Sequence, residues 1–400
     1  MDRKNRKRVT YVSSANATLR SYGIKPEEKK KKKKTLPARV RNALVMITAA
    51  AMIIAVISLA LENTGRVAVG KTTRIGATLS QNIVPFGDKV IFYDGTTLHC
   101  VAATGGNEWS YQIGTGADYD ATENRIVAWS GNDLYILNTN GRLTYNNKMS
   151  DKIQFASAGD KYVAVFVGEP DNGVVTVIDE NGQMVDNITI SQQTLLDIGF
   201  FYSTTSSSAQ KAELMWALGI DTTGTVISTE LQTFQPGKLS TGKSSLGEHI
   251  AYMIYGHDEM LNIVDTRQIL HYNYRALEEK PSTLIYGYAM ADVKTVGKTM
   301  YQLLVPEQEQ NQGMVISNVR LMYNGVDRVL HLPGTCIDAR LGTNSVYGFS
   351  NNAVYVCRYG ETTFSSYSLP ITITSVLGMI TDNRVIAASG SEIYVIELPT

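Results

Sequence analysis

The segment Gly65-Arg-Val-Ala-Val-Gly-Lys-Thr72 satisfies G-x-x-x-x-G-K-[ST], the spacing of a phosphate-binding loop. In such a loop backbone amides at a helix N-terminus cradle phosphate, and the lysine reaches its outer oxygens. The surroundings oppose that chemistry here. An apolar run precedes the motif instead of a βαβ strand, and the following Thr73-Arg-Ile-Gly-Ala-Thr-Leu-Ser-Gln-Asn82 is a poor helix. Alternating Val67 and Val69 fit a strand better. Five histidines, His99, His249, His257, His271 and His331, show no metal-ligand spacing such as H-E-x-x-H. Gly256-His-Asp-Glu259 places an imidazole and two carboxylates on what reads as a solvated hairpin tip. Asp118-Tyr-Asp-Ala-Thr-Glu-Asn124 offers oxygen ligands but lacks the central glycine of a calcium loop, and reads as a turn between structural units. There is no G-x-S-x-G elbow, and Leu332-Pro-Gly-Thr-Cys336 mimics a sorting signal only imperfectly, in mid-chain. No catalytic, cofactor or metal-binding residue is assigned, and the expectation is a protein without cofactor or catalytic activity.

The charge distribution is more informative. Residues 1–42 hold fifteen Lys and Arg against three acids, a surplus of twelve. The whole chain is formally neutral, so the remainder is acidic by the same amount. Between them lies Ala43 to Leu61, nineteen residues without charge, Gly or Pro. At ~1.5 Å per residue a helix of this length reaches roughly 28 Å, close to the ~30 Å hydrocarbon core of a bilayer. Ser58-Leu-Ala60 has the small-x-small form of a signal-peptide cleavage site, but the basic region before it is far longer than that of a signal peptide. An uncleaved membrane anchor is the expectation. The basic block Lys29, Lys30, Lys31, Lys32, Lys33 and Lys34, with Arg39 and Arg41, then marks the cytoplasmic side. A Lys-rich, apolar-poor tail is expected to be disordered and to lie against anionic inner-leaflet lipid. Nucleic-acid binding is not expected, because only Tyr11 and Tyr22 interleave the charges.

Beyond the apolar run the pattern becomes repetitive. Six segments read as apolar strand, tight turn, apolar strand: they begin at Val90, Ile126, Tyr162, Ile250, Val346 and Val385. The second strand of each is apolar, any, apolar, apolar, as in Leu98-His-Cys-Val101, Leu134-Tyr-Ile-Leu137 and Ile393-Tyr-Val-Ile396. Turns such as Asp94-Gly95 and Ser130-Gly131 fit hairpins. Degenerate copies from Glu213 and Met300 fill the two long gaps, giving eight hairpins roughly 40 residues apart. That period predicts an all-β fold, an eight-bladed β-propeller with seven blades as the alternative, over residues 62–400. The last hairpin lacks an outer strand, and residues 66–79 are expected to supply it and close the ring. Ser203–Glu213 and Gln235–Glu248 read as polar insertions, open either to partner contact or to simple tolerance. Cys100, Cys336 and Cys357 are too scattered for a disulfide framework and are expected as buried strand residues, Cys100 and Cys357 at equivalent positions.

The hairpins resemble those of the quinoprotein-like (PQQ-like) and WD-repeat-like propeller superfamily, through Val84–Trp109 and Gly131–Gly141. The full layout, over roughly residues 40–400, resembles a family of single-pass Firmicutes envelope proteins with a basic tail, one span and an external PQQ-like propeller. The resemblance implies a fold and not an activity, since propellers host many functions. Trp109, Trp129 and Trp216 are too few for the aromatic surroundings of a quinone cofactor. The function expected is a membrane-anchored envelope scaffold or adaptor that binds a protein or cell-wall polymer on a propeller face. The alternative is an exported enzyme acting on a glycan or small molecule, for which a carboxylate or histidine cluster in the central channel would speak.

Overall fold

The computed structural model describes residues 67–400 other than 191–192, 206–209, 222–224, 239, 308–314 and 382. The basic tail 1–42 with Lys29 to Lys34, Arg39 and Arg41, and the apolar run Ala43 to Leu61, lie outside the described residues.

The strand pattern builds blades. In the second repeat Arg125–Ser130 and Asp133–Asn138 are apolar on both faces at their centres, as strands sandwiched between neighbouring sheets must be. Leu143–Lys148 alternates between half-buried and exposed, as an outer strand does. With Ala117–Ala121 these four strands make one antiparallel sheet. Eight such sheets follow one another along the chain, spanning 83–112, 117–148, 153–189, 194–247, 253–284, 288–336, 338–368 and 375–397. We number them blades 1 to 8 and letter their strands a to d from the inside out. The a strands of blades 2 to 5 touch in succession, as do those of blades 6, 7, 8 and 1, and so line the axis. The buried apolar residues form eight clusters, one at each seam between adjacent blades, including blade 8 against blade 1. The seams are uneven: among the described residues thirteen buried side chains fill the one between blades 6 and 7, but six fill the one between blades 5 and 6.

Closure takes the expected form. Blade 8 receives Thr72–Thr78 as its strand d, antiparallel to Glu392–Glu397, with Thr72 opposite Ile396 and Ile75 opposite Ile393. Ile75 is 2% exposed in the seam with blade 1. One feature differs from expectation. Val67–Ala68 pairs parallel with Ser365–Ser368 and gives blade 7 a fifth strand, so the chain ties two blades before closing the ring. The described part of the Gly-x-x-x-x-Gly-Lys-Thr spacing, Val67 to Thr72, therefore falls on a strand-to-strand crossing, and Thr72 begins a strand rather than a helix.

Three other expectations are corrected. The hairpin read from Ile250 is strands a and b of blade 5 rather than b and c; the b–c hairpin is Met260–Val264 with Gln268–Tyr272. The slip has a local cause. The a–b turn Asp258-Glu259 takes positive φ at both residues (49° and 66°) and mimics the turn seen elsewhere, whereas the b–c turn has no glycine and is held by Asp265 Oδ1, which accepts from the Arg267 and Gln268 amides at 2.6 and 2.7 Å. The segment Gln235–Glu248 is not an insertion: Ser240–Gly247 is strand d of blade 4, polar because it is outermost. Cys100 and Cys357 both lie on c strands, but one faces blade 2 and the other blade 6, so their positions are not equivalent. All three cysteines are free and buried.

Candidate functional site

Because strand direction alternates within each blade, the b–c turns and d–a links emerge at one end of the ring, and the a–b and c–d turns at the other. The first end carries the most distinctive surface. Val226 and Ile227 precede strand c of blade 4. Ile250 and Tyr252 lie in the link from blade 4 to 5, Leu284 and Tyr286 at the link from 5 to 6, and Val315 precedes strand c of blade 6. All seven are exposed, Leu284 and Tyr286 by 67% and 79%. Seven large apolar side chains from three adjacent blades on one end are more than scattered surface hydrophobes. The backbone beneath them is held. His249 Nδ1 lies 2.6 Å from Asp265 Oδ2, tying the link to the b–c turn. The Tyr252 hydroxyl accepts from the Met290 amide at 2.8 Å. Arg320 donates to both oxygens of Asp327 (2.8 and 2.7 Å) and to the Leu284 carbonyl (3.3 Å), with its guanidinium over the Tyr288 ring. A rigid support of this sort lowers the entropy lost when a partner docks.

The central channel holds carboxylates from the a strands: Asp118 and Asp120 of blade 2, Asp197 of blade 4, Asp292 of blade 6 and Asp338 of blade 7. Asp118 and Asp120 belong to the segment read as a turn; it is mostly strand, with Tyr119 turned to the buried face. Two of the five aspartates act as clamps between blades. Asp120 Oδ2 accepts from the Ala158 amide (2.9 Å) and the Ser157 hydroxyl (3.3 Å), and Asp292 Oδ2 accepts from the Leu341 amide (2.8 Å). Asp338 pairs with Arg340 at 2.9 Å. Burial raises the pKa of Asp292 and Asp338, and the neighbouring Arg340 works against that rise. Glu213, buried between blades 3 and 4, accepts from the Asp160 and Lys161 amides at 2.6 and 2.7 Å. Of the Gly256–Glu259 tip, Glu259 bonds Thr204 of blade 4 and His257 reaches Thr295 of blade 6, so this tip bridges blades. No cluster of three or more His, Cys, Asp and Glu side chains that could hold a metal forms among the described residues.

Two histidine relays escaped the reading of the sequence. In blade 1, His99 Nε2 lies 2.7 Å from Asp94 Oδ2 and its Nδ1 3.0 Å from Ser110 Oγ. The hydrogen bond from His99 holds the Asp94 carboxyl well below the usual carboxylate range. This has the order of a hydrolytic triad, but Ser110 is exposed on an outer strand, where a developing oxyanion would meet water instead of preorganised donors. In blade 5, His271 Nδ1 donates to Asn262 Oδ1 (2.7 Å) and Nε2 accepts from the Thr283 hydroxyl (2.9 Å). Burial pushes His271 down to about 4, too weak a base to activate a hydroxyl at neutral pH. Their spacing of eleven or twelve residues, set by strand pairing, has no local sequence signature.

The class of protein follows from this geometry: an all-β, eight-bladed β-propeller, a fold that hosts many functions. Solved structures similar to it include the WD40 domain of SCAP from fission yeast (10% identity, 82% of this chain and 98% of that one, TM-score 0.52). Sqt1 of Saccharomyces cerevisiae is similar at 10% identity, over 84% of this chain and all of that one, with a TM-score of 0.51. BamB of Moraxella catarrhalis is similar at 11% identity, over 83% and 97%, with a TM-score of 0.47. At such identities the likeness is one of fold alone. No family model matches the sequence, and no curated protein is similar to it in sequence.

Proposed function

We propose that this chain is a non-catalytic, single-pass membrane protein whose propeller, on the outer side of the cell membrane, binds another envelope protein through the b–c end of blades 4 to 6. The observation that carries the reading is the gathering of Val226, Ile227, Ile250, Tyr252, Leu284, Tyr286 and Val315 on that end. Apolar and aromatic anchors on a held backbone suit a protein partner. They suit an anionic wall polymer poorly, and the acidic surplus beyond residue 42 disfavours such a polymer further. The run Ala43 to Leu61 supplies the anchor in this reading. The block Lys29 to Lys34 with Arg39 and Arg41 sets the orientation and adds about 1 kcal/mol of lipid attraction per charge near the surface. The reading as an exported enzyme draws on the channel carboxylates, three of which are already engaged by a neighbouring blade or by Arg340.

The test is site-specific photo-crosslinking in intact cells. A photoreactive residue at Tyr286 should capture one recurrent envelope protein, while the same residue at Arg142, on the other end of blade 2, should not. Equal capture from both positions, or none from Tyr286, would remove the basis for this face.

A further inference from the structure

The seam between blades 5 and 6 holds the fewest buried apolar side chains among the described residues, and it opens at the a–b end into a cavity of about 440 Å³. Its walls explain the shortfall. Alternation along the paired strands turns Met260 and Asn262 of blade 5, and Met300 and Gln302 of blade 6, into this seam. The polar members are closed on one another: His271 lies between Asn262 and Thr283, and Gln302 donates to the Tyr255 hydroxyl. The groups left uncommitted are of another kind. The Asp258-Glu259 turn, with both residues at positive φ, sets His257 directly opposite Met260. Across the seam Thr295 lies directly opposite Met300. His257 Nδ1 is 3.3 Å from Thr295 Oγ1, which joins the two pairs, and its Nε2 has no partner among the described residues. Directly opposed residues hold their Cβ atoms about 5 Å apart on one face, so two thioethers and one imidazole nitrogen meet at one wall. Met260, Met300 and His257 are half-buried there, whereas Met290, a methionine that fills the core of the same seam, is 4% exposed.

We infer that Met260 Sδ, Met300 Sδ and His257 Nε2 bind a soft monovalent metal ion, copper(I). Thioether sulfur is a neutral, polarisable donor that selects copper(I), whereas calcium and magnesium take oxygen ligands and zinc takes thiolate, imidazole or carboxylate. With no group of three His, Cys, Asp or Glu among the described residues, a divalent ion lacks its usual ligand set. Lys280 lines the same cavity, and its charge opposes a divalent ion twice as strongly as a monovalent one. The unbranched methionine side chains have the freedom to close on the ion, and the open cavity is its way in. The site lies at the opposite end of the ring from the apolar surface of blades 4 to 6 and does not rest on it.

The experiment offers the full-length chain in detergent the coloured bicinchoninate complex of copper(I), without oxygen, and follows the loss of colour as the ion is withdrawn. Withdrawal of a single equivalent per chain is expected. Met260→Leu, Met300→Leu and His257→Gln should each weaken retention about tenfold or more, at least what removal of a supporting group costs at metal sites. Leucine nearly keeps the volume of methionine, so circular dichroism should not change. Met184→Leu, at a methionine 56% exposed on blade 3, should retain the ion as the parent does. The three cysteines are the competing ligands, and a second readout separates them. In a chain carrying carbon-13 methionine methyls, silver(I), which shares the preference of copper(I) and undergoes no redox change here, should shift the signals of Met260 and Met300 among the thirteen methionines. Failure to withdraw copper(I), retention unchanged in all three variants, or a silver(I) shift that spares Met260 and Met300 would overturn the inference.

Discussion

Ring closure by an N-terminal strand is open to a sharp energetic test. Ile75 comes from the segment before the first hairpin, yet is 2% exposed between Val90 and Phe92 of blade 1 and Ile386 and Ile393 of blade 8. If Thr72–Thr78 closes the ring, Ile75→Ala leaves a void in a close-packed seam and should cost about 3 kcal/mol, within the ~2–5 usual for a buried isoleucine. For a denaturant slope of about 3 kcal/mol/M, that lowers the urea midpoint by roughly 1 M. The neighbouring residue is the control. Arg74 reaches Glu392 at 2.7 Å but its side chain is 65% exposed, so Arg74→Ala should cost less than about 1 kcal/mol. The assay is urea unfolding of both variants followed by tryptophan fluorescence and circular dichroism. If Ile75→Ala moves the midpoint no more than Arg74→Ala, the strand is not part of the seam and closure by this segment is wrong.

Other outcomes follow from single groups. His271 stays neutral in the folded chain down to about pH 4, whereas an unfolded histidine takes its proton near 6.5. Its depressed pKa thus supports the fold above pH 6.5, and on acidification from 6.5 to 4 this support is lost, by roughly 3 kcal/mol in all. His271→Gln should flatten that part of a stability–pH curve. Gly242 of blade 4 lies against the Arg275 carbonyl of blade 5 so closely that an added Cβ would overlap it. Gly242→Ala should therefore destabilise by about 1–3 kcal/mol through a shifted seam, visible in the same unfolding assay. Burial pushes the Cys100 and Cys336 thiols up to about 12. Both, with Cys357, should resist a thiol reagent in the native protein and react fully once it is unfolded in denaturant.

What the sequence discloses depends on burial. Strands b and c are covered on both faces, so Ile126–Trp129 and Leu134–Leu137 are nearly continuous apolar runs; such runs stand out in five blades, are degenerate in blades 4 and 6, and escape the sequence pattern in blade 5. Strands a border a wet channel and strands d border solvent. Asp118-Tyr-Asp120 and Ser240–Gly247 therefore carry polar residues at strand positions and read as turn and insertion. Blade 5 misled for the opposite reason: its a–b turn at Asp258-Glu259 looks like a hairpin tip, while Asp265 makes a b–c turn without glycine. The candidate surfaces are legible only in three dimensions. Val226 and Tyr286 are sixty residues apart in the chain, and Met260 and Met300 forty; blade topology brings each pair to one end or one cavity.

The central claim is a propeller displayed outside the cytoplasm with its face free to bind. The most direct measurement is labelling of intact cells with a membrane-impermeant amine reagent, mapped by mass spectrometry. Exposed propeller lysines such as Lys148, Lys243 and Lys280 should react, and Lys29 to Lys34 should react only after the cells are opened. Labelling of the Lys29–Lys34 block in intact cells, with the propeller lysines protected, would contradict the orientation and the envelope partner with it.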